Sequence, residues 1–407
     1  MDWRERVAGE TWLLVSFPDV AAAERRVAGL SAAGRWAAAA RAAGGCQPII
    51  VVDDAGAGWT AATLDDFDRM GATRLEQVAG AAIERLLAGR APGPVLLAEG
   101  RYLLDGEFLG QFLARPRASV TPGGEPVTAV GLATTLPRLG DPAAMVVPVT
   151  DLAQPASAVR RLVRATRKSS DGLVSRWLNR PVSQRITAQL LLHVPNVRPS
   201  HMTLVVAIAA AAMVATLVFG GWPGLIAGGM LFQVTSVLDG VDGEIARATY
   251  RSSLAGATAD TRVDIATNLG FFIGIAVSLT RLYGAQQAVV GGTVVLFGLA
   301  GMLLLGWLAR RVGHPGSFDV LKLYYRRRFP TGWQHLVTET LVAMTSRDFF
   351  AFAFCLIIVF GGGWTVSWLL AGFSATWLVT IVAAIPGLLR GGPSPAPLAA
   401  EVLARAN

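Results

Sequence analysis

The chain is poor in charged residues and almost free of cysteine. Only 16% of its 407 residues are Asp, Glu, Lys or Arg, whereas 53% are hydrophobic. The two cysteines, Cys46 and Cys355, lie in segments of different character and show no metal-type spacing. The sequence therefore predicts neither a disulfide between them nor a cysteine-based metal site. Low charge combined with long apolar runs after Thr203 predicts a protein that is partly embedded in a membrane.

The N-terminus also lacks the apolar run that follows the basic residues of a secretory signal peptide. We therefore expect no cleaved signal and a first domain that stays in the cytosol. The net charge of +8 comes without a basic stripe interleaved with exposed aromatic residues, so we expect no nucleic-acid partner. Arg and Lys instead flank hydrophobic segments, where they set topology and meet anionic membrane lipids.

Residues 1–150 alternate short apolar runs with helical patterns. This alternation is typical of an α/β doubly wound domain. Strands are predicted at 11–17, 48–52 and 94–98, and helices at 21–43 and 75–87.

Residues 151–202 form a basic segment that predicts juxtamembrane helices lying on the bilayer surface. Residues 203–390 predict an all-α domain of six transmembrane helices, and 391–407 a cytosolic tail. Basic residues cluster before the first span, between the second and third, and between the fourth and fifth, which predicts cytosolic termini and an inner or cytoplasmic membrane. The predicted spans are 203–220, 224–239, 264–281, 287–308, 348–362 and 364–388.

Four aspartates lie where the second span ends and the third begins. Asp239 and Asp242 are three residues apart, and Asp260 and Asp264 are four apart, so each pair shares one helix face. Carboxylates at a membrane edge are costly and mark function. Because four of them repel one another, the pattern predicts two divalent cations, and oxygen ligands select Mg²⁺ or Mn²⁺. Helix-end caps or charges paired with nearby Arg residues are the simpler alternative.

Small and basic residues accompany these acids. Gly240 and Gly243 each follow an aspartate and remove side chains where a phosphate or nucleotide must approach closely. Gly256 precedes Asp260 by about one turn, where it would allow tight helix packing. Arg247 would neutralise phosphate with two donors.

This segment resembles the CDP-alcohol phosphotransferase family, whose signature is D-x-x-D-G-x-x-A-R, eight residues, then G-x-x-x-D-x-x-x-D. Every fixed position is matched, and the resemblance covers residues 170–390. The family has six transmembrane helices and is usually a homodimer. Many members carry P-N-x-x-T at the first helix, whereas this chain has Ser200 in place of Asn.

The resemblance implies a role for each matched residue. Asp239, Asp242 and Asp260 would hold one metal ion, and Asp239, Asp260 and Asp264 the second. Asp264 would also be the general base that activates the acceptor hydroxyl, whose oxygen attacks the β-phosphorus of a CDP-alcohol and releases CMP. The residues that would line the CDP site are Gly240, Gly243, Ala246, Arg247 and Gly256.

The substrates stay open at this point. The stretch 169–183 resembles the di-myo-inositol-phosphate-phosphate synthase branch, which implies CDP-inositol as donor and inositol phosphate as acceptor. A CDP-diacylglycerol donor would make the protein a phospholipid synthase, and an ion-coupled transporter is a third alternative. Three consecutive basic residues would bind an acceptor phosphate or lipid headgroups, or serve only as a topology signal: Arg326, Arg327 and Arg328.

The first domain is similar in position to a nucleotidyltransferase domain but lacks its working residues. The stretch around Gly34 and Arg35 lacks a second glycine of a triphosphate loop. Arg101 stands where such domains place a metal-binding aspartate, and a cation there would oppose a metal. We interpret the domain as degenerate, with a structural or regulatory role, or as catalytic through residues of another pattern.

Overall fold

The computed structural model divides the chain into two compact units. One unit comprises Met1–Ala165 with Ala188–Val197, and the other Thr166–Thr187 with Arg198–Asn407. The described residues are 11–43, 46–52, 58–70, 94–103, 119–120, 126–132, 145–146, 150–151, 154–167, 171–194, 196–311, 319–344 and 346–389.

The first unit is built around a mixed six-stranded sheet. Its strands lie side by side in the order β4 (Cys46–Val52), β1 (Thr11–Phe17), β5 (Pro94–Glu99), β8 (Pro126–Leu132), β7 (Ser119–Val120) and β9 (Met145–Val146). Strand β1 lies parallel to both β4 and β5, while β8 runs antiparallel to β5 and β7. The strands are β1 Thr11–Phe17, β2 Arg26–Val27, β3 Leu30–Ser31, β4 Cys46–Val52, β5 Pro94–Glu99, β6 Tyr102–Leu103, β7 Ser119–Val120, β8 Pro126–Leu132, β9 Met145–Val146 and β10 Thr150–Asp151. The helices are α1 Val20–Glu24, α2 Ala32–Ala43, α3 Ala61–Met70 and α4 Pro155–Ala165.

The three predicted strands are present, but other predictions for this unit need revision. The single helix predicted at 21–43 is wrong, because the hairpin β2–β3 interrupts it. Ala28 and Gly29 turn the chain there with φ of 49° and 78°, and this left-handed backbone cannot continue a helix. The doubly wound arrangement is not confirmed, since β8 runs antiparallel to both of its neighbours in the described sheet. The helix predicted at 75–87 lies outside the described residues.

The start of helix α2 shows what occupies the position of a phosphate-binding loop. The Asp66 carboxylate accepts a hydrogen bond from the Ser31 backbone N–H at 2.9 Å, directly before the helix. Arg35 is buried and donates to the carbonyl oxygens of Val27 and Ala28. The unit therefore uses an internal carboxylate and an internal Arg where a nucleotide-binding domain would present free donors.

The second unit is helical throughout its described residues. A short π-helix, Ser175–Asn179, leads directly into α5 Arg180–His193. Five later helices are long and apolar enough to cross a membrane. They are α6 Pro199–Phe219, α7 Gly221–Ala248, α8 Leu254–Tyr283, α9 Ala285–Arg311 and α13 Gly363–Leu389.

The predicted fifth span corresponds to a shorter helix. Helix α12, Arg347–Val359, has 13 residues and is about 20 Å long, less than the ~30 Å hydrocarbon core of a bilayer. The basic segment before it is not an extended loop, because it contains α10 Asp319–Arg328 and α11 Gly332–Met344. Five candidate spans are thus found in the described part of the chain, and a count of six stays a prediction.

Aromatic rings and glycines pack the transmembrane helices together. Phe232 of α7 and Phe271 of α8 are fully buried and stack with centroids 3.8 Å apart. Gly291 of α9 lies so close to Ala276 of α8 that an added Cβ would be 2.9 Å from the Ala276 Cα. Backbones approach this closely only where side chains are small. These contacts hold α7, α8 and α9 in the arrangement that positions the site.

Two neighbouring glycines on α9 offer a matched test of this packing. We expect Gly291→Ala to lower the free energy of unfolding by about 1–3 kcal/mol, because neither backbone can yield easily. Gly292→Ala should be neutral or slightly stabilising, since nothing described lies within 4 Å of its added Cβ. Unfolding midpoints in one detergent measure both, and equal effects would contradict the close approach.

Candidate active site

Three aspartates from two helices meet at one point. Asp239 comes from α7, whereas Asp260 and Asp264 lie one turn apart on α8. One carboxylate oxygen from each lies within 4.8 Å of those of the other two. The spacing of four residues puts Asp260 and Asp264 on one face, and the turn between α7 and α8 brings that face to Asp239.

The fourth predicted ligand, Asp242, lies beside this trio. Its side chain is buried and interacts directly with Asp260. Its Oδ2 also accepts a hydrogen bond from Thr203 Oγ1 of α6 at 3.1 Å. Helix α6 begins at Pro199, so Ser200 lies inside the first turn and does not cap it. The threonine at the start of α6 therefore orients a carboxylate.

Arg347 is the cation that adjoins the acidic cluster. It stands in the first turn of α12 and forms ion pairs with Asp264 and, at 3.3 Å, with Asp239. Among the described residues, its Nε and Nη2 atoms are buried without a hydrogen-bond partner. One guanidinium edge thus reduces repulsion between the carboxylates, while its other donors stay available to a ligand.

The residue after Arg347 ties the same turn of α12 to the π-helix. Asp348 Oδ1 accepts from Ser236 Oγ at 2.8 Å and from Asn179 Nδ2 at 3.2 Å. Gln233 Nε2 donates to Asn179 Oδ1 at 2.8 Å, so the network continues along α7. π-helical turns occur frequently at functional sites. Here the π-helix brings Asn179 to the beginning of α12.

A second buried hydrogen-bond network connects α5 to α7, the helix that carries Asp239 and Asp242. Glu244, completely buried, accepts from Arg180 Nη1 at 2.9 Å and from the hydroxyls of Ser183 and Thr187, each at 2.6 Å. Arg180 also forms a bidentate pair with Asp171. Burial lowers the pKa of the Arg180 guanidinium, but its hydrogen bonds and charge pairs with Asp171 and Glu244 raise it overall. Arg180 therefore stays charged and fixed.

A cavity of about 1240 Å³ adjoins the acidic cluster. Asp239, Asp264 and Arg347 line it. Helices α8, α9 and α13 contribute apolar side chains to its wall, and α10 and α11 contribute further residues. The cluster therefore borders a space that is large enough for a substrate.

The residues predicted to line a CDP site lie on α7 and at the start of α8. Gly243 faces the Arg247 guanidinium, to which an added Cβ would come within 3.0 Å, and Arg247 Nε donates to the Thr166 carbonyl. Gly240 faces Ser183 and Arg180 instead, so its lack of a side chain also serves helix packing. Ala246, half-buried, lies one residue before Arg247.

The sequence predicted that Gly256 allows tight helix packing, and this prediction is wrong. Gly256 packs against no other helix among the described residues. It is exposed, its N–H donates to Ser253 Oγ at 3.0 Å, and an added Cβ would meet only that hydroxyl among the described atoms. Ser253 caps α8, and the surface around Gly256 is open to a ligand.

The three predicted phosphate-binding arginines are not equivalent. Arg326 lines the cavity but forms a bidentate pair with Glu339 of α11, with N–O distances of 2.6 and 2.8 Å. The hydrogen bonds from Arg326 lower the pKa of Glu339. Arg327 and Arg328 lie at the end of α10 and are not among the described residues lining the cavity.

The acidic cluster fits a divalent cation by its chemistry. All three ligand groups are carboxylates, which suit Mg²⁺ and Mn²⁺. Oxygens on opposite sides of one bound ion are about 4–5 Å apart, which is comparable to the measured spacing within 4.8 Å. Asp239, Asp260 and Asp264 are therefore the residues that would hold an ion, with Asp242 adjacent.

Sequence reasoning missed several polar residues around the site. They have one signal in common, a charged or amide group beside an apolar run, but they come from distant parts of the chain. Only the fold shows that these residues lie close to α7 and α8, the two helices that carry the four aspartates. They are Asn179, Arg180, Glu244, Asn268, Arg347 and Asp348.

Loss of one carboxylate should weaken cation binding. We expect Asp260→Asn to bind Mn²⁺ at least roughly tenfold more weakly in isothermal titration, because a charged oxygen ligand is removed. Glu339→Gln removes an acid that lines the same cavity outside the cluster and should leave the titration unchanged. Equal affinities in the two variants would contradict the assignment.

Breaking the brace should destabilise the protein without removing a cluster residue. We expect Glu244→Leu to cost about 3–5 kcal/mol of unfolding free energy, because buried Arg180 loses one of its two charged partners and the Ser183 and Thr187 hydroxyls lose their acceptor. The partly exposed Arg326–Glu339 pair, with side chains 32% and 33% accessible, should contribute at most about 1 kcal/mol, as Glu339→Leu would show. A small effect of Glu244→Leu would rule out the proposed brace.

Comparison with known proteins identifies the same segment. Residues 196–371 match the family model described as CDP-alcohol phosphatidyltransferase. Three relatives, all named bifunctional IPC transferase and DIPP synthase, are similar to parts of the chain. Identity is 28% over 239 residues for Archaeoglobus fulgidus, 34% over 155 for Thermococcus kodakarensis and 37% over 123 for Aquifex aeolicus.

These alignments cover 57%, 38% and 30% of this chain, respectively. The chain spans less than half the length of each relative, at 42%, 33% and 27%. The matched family segment contains the whole acidic cluster and the turn of α12 that bears Arg347. Signature, cluster geometry and family match agree, and the chain therefore carries, at residues 196–371, a domain of the CDP-alcohol phosphatidyltransferase family.

Proposed function

We propose that this chain is an integral-membrane phosphotransferase that moves a substituted phosphate from a CDP-alcohol to an acceptor hydroxyl and releases CMP. The observation that carries the proposal is the convergence of Asp239, Asp260 and Asp264 beside a substrate-sized cavity, which Asp239 and Asp264 line. The membrane helices and the family match support the same reaction class.

The aspartates would hold two divalent cations, Mg²⁺ or Mn²⁺. Asp239, Asp242 and Asp260 would bind one ion, and Asp239, Asp260 and Asp264 the other. Such ions, when bound, neutralise the diphosphate and stabilise the charge that develops during in-line transfer. Arg247, beside Gly243, would contact phosphate on the nucleotide side, with Gly240, Ala246 and Gly256 completing that surface.

Asp264 is the proposed general base. It lines the cavity, and Arg347 holds its carboxylate in place. The acceptor hydroxyl would give its proton to Asp264 while its oxygen forms a bond to the β-phosphorus. The bond between that phosphorus and the oxygen of CMP breaks, and CMP leaves with the electron pair. Arg347 Nε and Nη2 face no described partner and would donate to the transferred phosphate or to an anionic acceptor.

The substrates are proposed from the relatives' names and the branch resemblance. The donor would be a CDP-inositol-like molecule or CDP-diacylglycerol, and the acceptor an inositol phosphate. Arg326 would assist a phosphate-bearing acceptor only after releasing Glu339.

Both termini would be cytosolic, because basic residues flank the same side of successive spans. A homodimer in contact with membrane lipids is also proposed, and the first unit would have a structural or regulatory role.

Release of CMP from a CDP-alcohol tests the proposal. Purified protein should release CMP only with Mg²⁺ or Mn²⁺, and Asp264→Asn should reduce turnover by about 10²–10⁴-fold while the protein folds and inserts. Glu339→Gln is the control for charge loss at the cavity. Near-normal turnover by Asp264→Asn would disprove the base assignment. Ion-coupled uptake without CMP release from any donor would favour a transporter.

A further inference from the structure

The Arg347 side chain is held at the acidic cluster through one nitrogen atom. Its Nη1 forms the ion pairs with Asp264 and, at 3.3 Å, with Asp239. Its Nε and Nη2 atoms are buried without a hydrogen-bond partner among the described residues. A bidentate pair fixes the plane of a guanidinium, whereas contact through one nitrogen does not. The direction in which Nε and Nη2 point therefore depends on where α12 places the backbone of Arg347.

The beginning of α12 is not held by a side-chain cap. Ser346 precedes the helix, and its hydroxyl makes no capping hydrogen bond to α12, all of whose residues are described. The helix has only 13 residues, so few turns are available to fix its position by packing. Another contact is needed to set the position of its first turn.

Asp348 supplies such a contact. Its Oδ1 accepts hydrogen bonds from Ser236 Oγ at 2.8 Å and from Asn179 Nδ2 at 3.2 Å. Both partners are only 4% accessible. Asn179 is itself held by Gln233, whose Nε2 donates to Asn179 Oδ1 at 2.8 Å. Because hydrogen bonds to a charged acceptor are roughly twice as strong as neutral ones, these two bonds hold the carboxylate in one place.

Two adjacent residues of α12 thus contact two residues of α7 that are one turn apart. Arg347 pairs with Asp239, and Asp348 accepts from Ser236, three positions earlier on the same face of α7. Together the two contacts define both the rotation of α12 and its height along α7. A rotation or a slide of α12 would break the Asp348 contact and move the Arg347 guanidinium away from Asp264.

A simpler role for Asp348 is to stabilise the start of its own helix. An acid in the first turn interacts favourably with the positive end of any helix. That role needs no partner on another element, however. The two donors from α7 and the π-helix, both buried, are what it leaves unexplained.

We propose that Asp348 is a positioning residue for the transfer reaction. By accepting from Ser236 and Asn179, it holds Arg347 against Asp264 and directs the Nε and Nη2 donors of Arg347 to the transferred phosphate. This proposal rests on the proposed function and adds a residue that acts through Arg347. Misplacement of a group at the reacting atoms by about 1 Å can cost about 10²-fold in rate, so a positioning contact has a measurable effect.

A conservative and a truncating variant separate the hydrogen bonds from the charge. Asp348→Asn keeps an oxygen acceptor for Ser236 and Asn179, whereas Asp348→Ala removes it. We expect kcat for CMP release to fall about 10–100-fold in Asp348→Ala and to stay within about threefold of the unsubstituted protein in Asp348→Asn. Equal losses in the two variants would overturn the proposal, because the charge alone would then account for the effect.

A double-mutant cycle tests whether Asp348 acts through Arg347. In an Arg347→Ala background, Asp348→Ala should lower kcat by less than about twofold, because the group that it positions is absent. Gly291→Ala is the control, since it disturbs α8 at Ala276, about 18 Å along the helix from Asp264. Its effect should be the same in both backgrounds. An equal loss from Asp348→Ala in both backgrounds would indicate a merely structural role and contradict the proposal.

Chemical modification separates this proposal from the proposed reaction. Phenylglyoxal reacts with accessible guanidinium groups, and peptide mass spectrometry measures the modification of Arg347. We expect modification at least about fivefold faster in Asp348→Ala than in the unsubstituted protein or Asp348→Asn, because the first turn of α12 loses its hydrogen bonds. Exposed Arg185 should react equally in all three.

The two proposals can fail independently. If no donor yields CMP, the reaction proposal fails, and the modification rate still decides whether Asp348 holds Arg347 in place. Unchanged protection of Arg347 in Asp348→Ala would disprove the positioning role while leaving the phosphotransferase intact.

Discussion

Neighbouring carboxylates repel one another, and the helical unit holds three of them together. Asp239, Asp260 and Asp264 place carboxylate oxygens within 4.8 Å of one another, and burial near a membrane strengthens their repulsion. A fold that keeps them together must supply positive charge or donors. Arg347 supplies one guanidinium to Asp239 and Asp264, and Thr203 donates one hydroxyl to the adjoining Asp242. A divalent cation would supply the remainder.

The second unit is arranged so that this cluster cannot easily spread. Glu244 and Arg180 fix α5 to α7 through a buried ion pair. Asp348 fixes the first turn of α12 to α7 and to the π-helix through Ser236 and Asn179. The acids are thus held from two sides by polar contacts, while the Phe232–Phe271 stack holds α7 and α8 together.

The convergence of Asp239, Asp260 and Asp264 could be predicted from sequence because these residues are close in the chain. The spacing of the aspartates determines which helix faces they occupy, so their convergence follows from one helical turn-back. Arg347 could not be predicted, since it lies 83 residues after Asp264 and no sequence spacing connects the two. Gly240 and Gly256 show a related limit, because spacing alone does not distinguish a glycine that packs against a helix from one at an open surface.

In the first unit, the helix predicted at 21–43 is wrong for a local reason. The Ala-rich pattern of 21–43 favours a helix, but Ala28 and Gly29 adopt positive φ and form a hairpin. Its strands were predictable because buried parallel strands are continuous apolar runs. The position of Asp66 at the start of α2 depends on a contact 35 residues away, which periodicity does not reveal.

The most direct test of the account is to locate manganese by anomalous scattering in crystals of the protein grown with Mn²⁺ and a CDP-alcohol. We expect two peaks about 3.5–4 Å apart, each coordinated by carboxylates of Asp239 and Asp260, with Asp242 on one ion and Asp264 on the other. Peaks located elsewhere, or none at the cluster while the nucleotide is bound, would contradict it.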